Sequence, residues 1–204
     1  MESGGIFSLG HSTQQLERFI SLLIKHKIDV VADVRSSPFS RFNPQFNRES
    51  LADGLRSAGV KYVFFGKELG ARANDPSCYI NGKVQYARLA AREEFKSAIA
   101  RLKLGSIDHR IALVCAEKEP LDCHRTILVS QALAKDGLQV NHIHLDGSLE
   151  THEAALERLL DIIGLPRTDL FRSKAELINE ALAKQEAKIA YQESRDTENM
   201  GRGQ

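Results

Sequence analysis

Short apolar runs alternate with segments of helical periodicity along most of this chain, and nearly every run ends in polar residues. That alternation constrains the fold more than any other feature. Strands separated by helices pair in parallel, and their crossovers are almost always right-handed. Runs at 5–10, 29–35, 61–66, 110–116 and 139–145 predict five strands, buried on both faces where the run is apolar throughout. Helices are expected after Ser12 or Thr13 as N-cap, with Leu16, Phe19, Ile20, Leu22 and Leu23 at helical spacing, and at 48–58, 84–104, 123–136 and 151–163. The fold class that follows is α/β, a three-layer α/β sandwich with a mainly parallel sheet of about five strands, plus a C-terminal helix. Residues 1–165 read as one α/β domain, 166–195 as a helical extension and 196–204 as a disordered tail. In the extension, Leu177, Ile178, Leu182 and Ile189 predict a helix over 174–195 that packs on the domain or mediates oligomerisation. Residues 66–82 lack periodicity, and structureless segments longer than roughly 12–15 residues in compact domains are usually functional or mobile.

At 204 residues with 42% hydrophobic and 27% charged content, the chain suits one soluble domain, and no apolar run is long enough to span a bilayer. Neither a secretory leader nor a disulfide framework is expected: the start is neither basic nor apolar, and there are only three cysteines, so a cytoplasmic setting follows. The net charge of +1 makes no general case for nucleic acid. Residues 35–72 nevertheless hold seven Arg or Lys against three acids, and the loop from Phe39 to Arg48 interleaves them with Phe42 and Phe46. The acid-rich stretch 146–204 reads as a solvated helical end.

The densest chemistry is in Cys115-Ala-Glu-Lys-Glu-Pro-Leu-Asp-Cys-His-Arg125, which joins the fourth strand to its helix. Asp122 is the expected N-cap, placing Cys123, His124 and Arg125 in a first helical turn whose free N–H groups favour an anion. Every strand's C-terminal end lies on the same sheet edge, where open α/β sheets bind ligands. His11, Ser12, Asp33, Arg35, Glu117, Cys123, His124 and Arg125 are predicted to line a crevice there. A structural Asp33–Arg35 ion pair is the competing expectation for those two residues.

Gly-His-Ser at 10–12, Asp-Val-Arg-x-x-Pro-x-Ser at 33–40, Phe-Asn at 46–47, Leu-Gly at 69–70 and Cys-x-Glu-x-x-Pro-x-x-Cys-His-Arg at 115–125 together resemble the domain-of-unknown-function family 488. The resemblance spans about residues 5–165. It implies an α/β fold and a shared pocket, to which Ser40 of the second motif would belong, and assigns no reaction.

Three chemistries compete. In the first, Arg35, Arg125, Ser12 and Ser40 hold a phosphate-bearing or other small anionic ligand while Asp33, Glu117, His11 or His124 moves protons. In the second, Cys123 beside His124 and Arg125 is a low-pKa thiol serving redox or transfer chemistry, against buried structural cysteines as the plain alternative. In the third, a metal is bound by Cys115, Cys123 or His124. Neighbouring helical residues point about 100° apart, which argues against Cys123 and His124 sharing a tetrahedral site, so no cofactor is predicted. His142 and His144 are expected to be satisfied structural histidines. Neither a dinucleotide fingerprint nor a Walker lysine loop is present. A non-enzymatic alternative is a nucleic-acid-binding module using loops 35–48 and 66–83.

Overall fold

The five apolar runs become five parallel strands. The computed structural model describes residues 4–193. Its main sheet contains β1 (Gly5–Gly10), β2 (Val30–Asp33), β3 (Lys61–Phe64), β6 (Arg110–Cys115), β7 (Val140–Ile143) and β8 (Leu149–Thr151), in the order β3-β2-β6-β1-β7-β8. Only β8 runs antiparallel, on β7. It is a sixth strand of three residues, too short to carry a readable alternation.

Period-two alternation sends successive residues to opposite faces. Phe7, Leu9, Val31, Ala112 and Val114 pack beneath α1 (Leu16–Lys25) and α2 (Arg48–Ser57). Ile6, Val30, Ala32, Ile111 and Leu113 meet the opposite helical layer, which includes α5 (Glu93–Gly105), α7 (His152–Ile163) and α8 (Lys174–Ile189). The result is a sheet between two helical layers, a three-layer α/β sandwich.

Several local expectations give way. Ser12 takes a left-handed φ of 50°, so neither it nor Thr13 caps α1; the extended residue before that helix is Gln15. The helix expected at 84–104 is two, α4 (Tyr86–Ala91) and α5, broken at an extended Arg92. Leu89 and Phe95 are both buried, yet a six-residue step is out of phase with 3.6 residues per turn, so the break lets both face the core. The aperiodic stretch holds α3 (Gly66–Leu69) and a hairpin, β4 (Tyr79–Ile80) and β5 (Lys83–Val84). Asn81 and Gly82 make its two-residue turn with φ of 51° and 73°, which suits a primed hairpin turn.

Helix α8 opens with a capping box between Ser173 and Glu176. Leu177, Ala181 and Leu182 are buried against the chain's own core, and Gln185 Nε2 donates to the Leu121 carbonyl at 2.8 Å. Its apolar face therefore packs on the domain, the first of the two arrangements expected for it. The helix ends at Ile189, short of the expected 195; beyond it the backbone adds to the hairpin, with Val84 N–H donating to the Tyr191 carbonyl. The tail expected at 196–204 lies outside the described residues. Among the described residues, no helix is long and apolar enough to cross a membrane.

Candidate functional site

Strand order decides what converges. β6 lies between β1 and β2, so the segments after these three strands meet at one edge. Pairing continues past the strands: His11 N–H donates to the Cys115 carbonyl and Ser12 N–H to that of Ala116, both at 2.9 Å, and Val34 N–H reaches the Val114 carbonyl at 3.1 Å. Gly10 lets the 116–119 loop fold over β1, because a Cβ there would lie 1.8 Å from the Glu117 carbonyl oxygen.

Three predicted residues form one buried network. Arg35 spends four N–H groups on it: Nε and Nη2 grip Asp33 Oδ1 and Oδ2 at 2.9 and 2.6 Å, while Nη1 reaches Phe46 O and His11 Nε2 at 2.9 and 3.0 Å. Tyr62 adds its hydroxyl to Asp33 Oδ2 at 2.8 Å. Burial, followed by the Asp33 carboxylate, raises the Tyr62 pKa and keeps the phenol protonated. His11 stacks on Phe46, with ring centroids 4.2 Å apart, and donates Nδ1–H to the Ser12 carbonyl. Burial and then Arg35 lower its pKa to about 4, so it is neutral and accepts from Arg35. Asp33 and Arg35 thus form the buried ion pair that was the competing expectation for these two residues.

A second cluster lies beside the first. Pro120–Asp122 form a tight helical turn, after which Cys123 is extended at φ −136° and ψ 139°; helical dihedrals resume at His124. Asp122 is thus part of that turn and not the N-cap. The helix enters through wide turns over Arg125–Ser130 before α6 (Gln131–Lys135). Because Cys123 precedes the helix, the 100° divergence expected of two neighbouring helical residues does not apply. Its Sγ lies 3.9 Å from His124 Nδ1, and Cys115 Sγ lies 3.7 Å from the same nitrogen. His124 Nε2–H donates to the Val34 carbonyl at 3.0 Å, which turns Nδ1 toward both sulfurs.

The electrostatics separate the two thiols. For Cys123 burial opposes ionisation, but the Cys115 thiol, Arg125 and His124 outweigh it and hold the pKa well below the ordinary range. The same contact with Cys123, followed by burial, raises that of Cys115. Burial disfavours imidazolium at His124, yet Cys123 raises its pKa. Glu117 is raised by burial and then Cys123, with Oε2 2.9 Å from Cys123 Sγ. Arg125 is fully buried; Nη1 donates to the Glu117 carbonyl at 2.8 Å, its backbone N–H meets Cys123 Sγ at 3.4 Å, and Nε has no partner among the described residues.

A pocket of about 340 Å³ opens on this edge. Of the predicted residues, Arg35, Glu117 and His124 line it, together with Cys115. Asp33, His11, Cys123 and Arg125 are buried. They lie outside its lining, as do Ser12 and Ser40. Ser40 Oγ accepts from the N–H groups of Phe42 and Asn43, holding its own loop. Sequence reasoning missed Arg72, Tyr86, Tyr191, Ser36 and Ser37 on the wall. Arg72 stacks on Tyr191, 4.5 Å from the ring centroid, and its N–H is tied to Ser36 Oγ. Its signals were its place in the basic stretch 35–72 and in the long aperiodic segment, neither of which singled it out; Tyr191 arrives through pairing of the chain after α8 with the hairpin.

Searches of curated proteins and of solved structures gave no match. Residues 15–132, more than half of the chain, match the family described as a domain of unknown function, DUF488, and the chain belongs to that family.

Proposed function

We propose that this protein is an enzyme acting on a small anionic ligand, phosphate-bearing in the simplest case, in the pocket at the strand C-termini. The observation that carries this reading is that the sulfur–imidazole cluster opens onto the pocket through Cys115 and His124. A reactive centre at the base of a cleft, beneath polar walls, is a common active-site arrangement. Arg35 is committed to Asp33, so the anion falls to Arg72, which makes no ion pair among the described residues, with Ser36 and Ser37 on the same wall. Tyr86, Tyr191 and Phe39 supply aromatic surface for the rest of the ligand. Glu117, in the lining and beside Cys123 Sγ, supplies a carboxyl group for proton transfer. On this reading the reaction is a group transfer or a hydrolysis of that ligand.

A thermal-shift panel of nucleotides, phosphosugars and inorganic anions tests this reading. A ligand at 100 times its Kd stabilises by about 2.7 kcal/mol, roughly 5–10 °C for a chain of this size. The shift should vanish in Arg72→Ala; silence across the panel, or an undiminished shift in that variant, contradicts the assignment. A second reading rests on Phe39 and Phe42, which are 73% and 80% exposed on the basic loop. They suit a nucleic-acid strand, whose binding would weaken steeply with salt.

A further inference from the structure

We infer that Cys115, Cys123 and His124 form a binding site for a soft divalent metal, zinc by chemical class, with its fourth coordination position turned to the pocket. This rests on the reading of that pocket as the reactive site and names the cofactor it would use.

The geometry carries the inference. With zinc–sulfur and zinc–nitrogen bonds of about 2.3 and 2.0–2.1 Å, a tetrahedral site sets sulfur and nitrogen ~3.6 Å apart. The two sulfur-to-Nδ1 separations here are 3.7 and 3.9 Å, and all three ligand atoms lie within 4.8 Å of one another. A few tenths of an ångström would close them on an ion. Cysteine and histidine donors in this number select zinc over the hard cations, which prefer oxygen.

Two outer contacts are independent of those distances. The Nε2–H of His124 is bound to the Val34 carbonyl, fixing the tautomer that leaves Nδ1 free, as outer partners of metal-bound histidines commonly do. Cys123 Sγ also receives the backbone N–H of Arg125, whose buried guanidinium favours negative charge at the centre. All three ligands are buried, so their backbones are fixed by the core. Cys115 and His124 also line the pocket, leaving the fourth position to water or a ligand oxygen. Three protein ligands with one open position is the pattern of catalytic zinc, whereas structural zinc is closed by four.

Cobalt(II) titration of the chelator-stripped full chain tests the site. The expected result is one cobalt per chain, with a thiolate charge-transfer band and the strong visible bands of tetrahedral cobalt. Cys123→Ser and His124→Asn should weaken binding by more than the ~10–100-fold typical of losing an outer partner, and Cys78→Ala should leave the spectrum unchanged. If the ligand variants do not fold, zinc added to the stripped wild-type chain must still raise Tm in a concentration-dependent way. Weak octahedral bands without charge transfer, or wild-type bands in Cys123→Ser, would overturn the site, as would a Tm indifferent to zinc. Arg72→Ala should keep the cobalt spectrum whether or not it loses ligand binding, so failure of the anion pocket and failure of the metal site are separate results.

Discussion

His124 Nε2 is held 3.0 Å from the carbonyl oxygen of Val34, the residue between Asp33 and Arg35. One hydrogen bond thus joins the ion-pair network after β2 to the sulfur cluster after β6. It also orients the ring: Nε2 is the donor, and Nδ1 is left for the two sulfurs. Long-range nitrogen–proton NMR correlation should find a proton on His124 Nε2 in both the neutral and the charged ring. A neutral ring protonated on Nδ1 would contradict the arrangement.

Asp33 is fully buried and answers Arg35 and Tyr62 together. Removing one partner of a buried pair leaves the other's charge uncompensated, so Asp33→Ala should cost about 3–5 kcal/mol in urea unfolding. Tyr62→Phe removes one bond to a charged acceptor and should cost roughly 1.5–3 kcal/mol. A loss below about 1 kcal/mol for Asp33→Ala would show that the network does not anchor the sheet edge.

Gly10 touches the loop that Arg125 holds. Gly10→Ala must displace the Glu117 carbonyl, only 1.8 Å from the added carbon, and overpacking of this kind costs about 1–3 kcal/mol. Unfolding measurements should show that loss. A variant as stable as the parent would mean that the loop moves freely.

Acid should destabilise the fold through a relay outside the pocket. Ser8 Oγ–H donates to His142 Nδ1 at 2.7 Å, His142 Nε2 meets His152 Nδ1 at 3.1 Å, and His152 Nε2 meets Gln131 Oε1 at 2.9 Å. With all donors pointing toward Gln131, both rings are neutral. Burial lowers His152 to about 4, and burial followed by His152 lowers His142 well below its ordinary value. A folded pKa below the unfolded one means that the unfolded chain binds more protons in between. Stability is therefore complete above about pH 6.5 and falls as pH drops toward about 4, by roughly 3 kcal/mol for a shift the size of that at His152. Urea midpoints at pH 7 and 5 check this; equal midpoints would contradict it.

The fold was legible where apolar runs were long enough to show a period, as at 29–35 and 110–116. It was not legible at β8, the hairpin, or the break at Arg92, which tertiary packing sets. For the site, the 115–125 motif was visible as a concentration of chemistry, but its geometry was not. The Pro120–Asp122 turn delays the helix and makes Cys123 extended, which reverses the argument against shared ligation. Asp33 and Arg35 were readable as a pair, whereas Arg72 and Tyr191 reach the pocket only through contacts distant in sequence.

The central claim is that Cys115, Cys123 and His124 act as one centre at the base of the pocket. Zinc-edge X-ray absorption on the zinc-loaded chain measures it most directly. The account predicts two sulfur scatterers at about 2.3 Å, one imidazole nitrogen at about 2.0–2.1 Å and one further light atom. A shell of oxygen and nitrogen alone would contradict it.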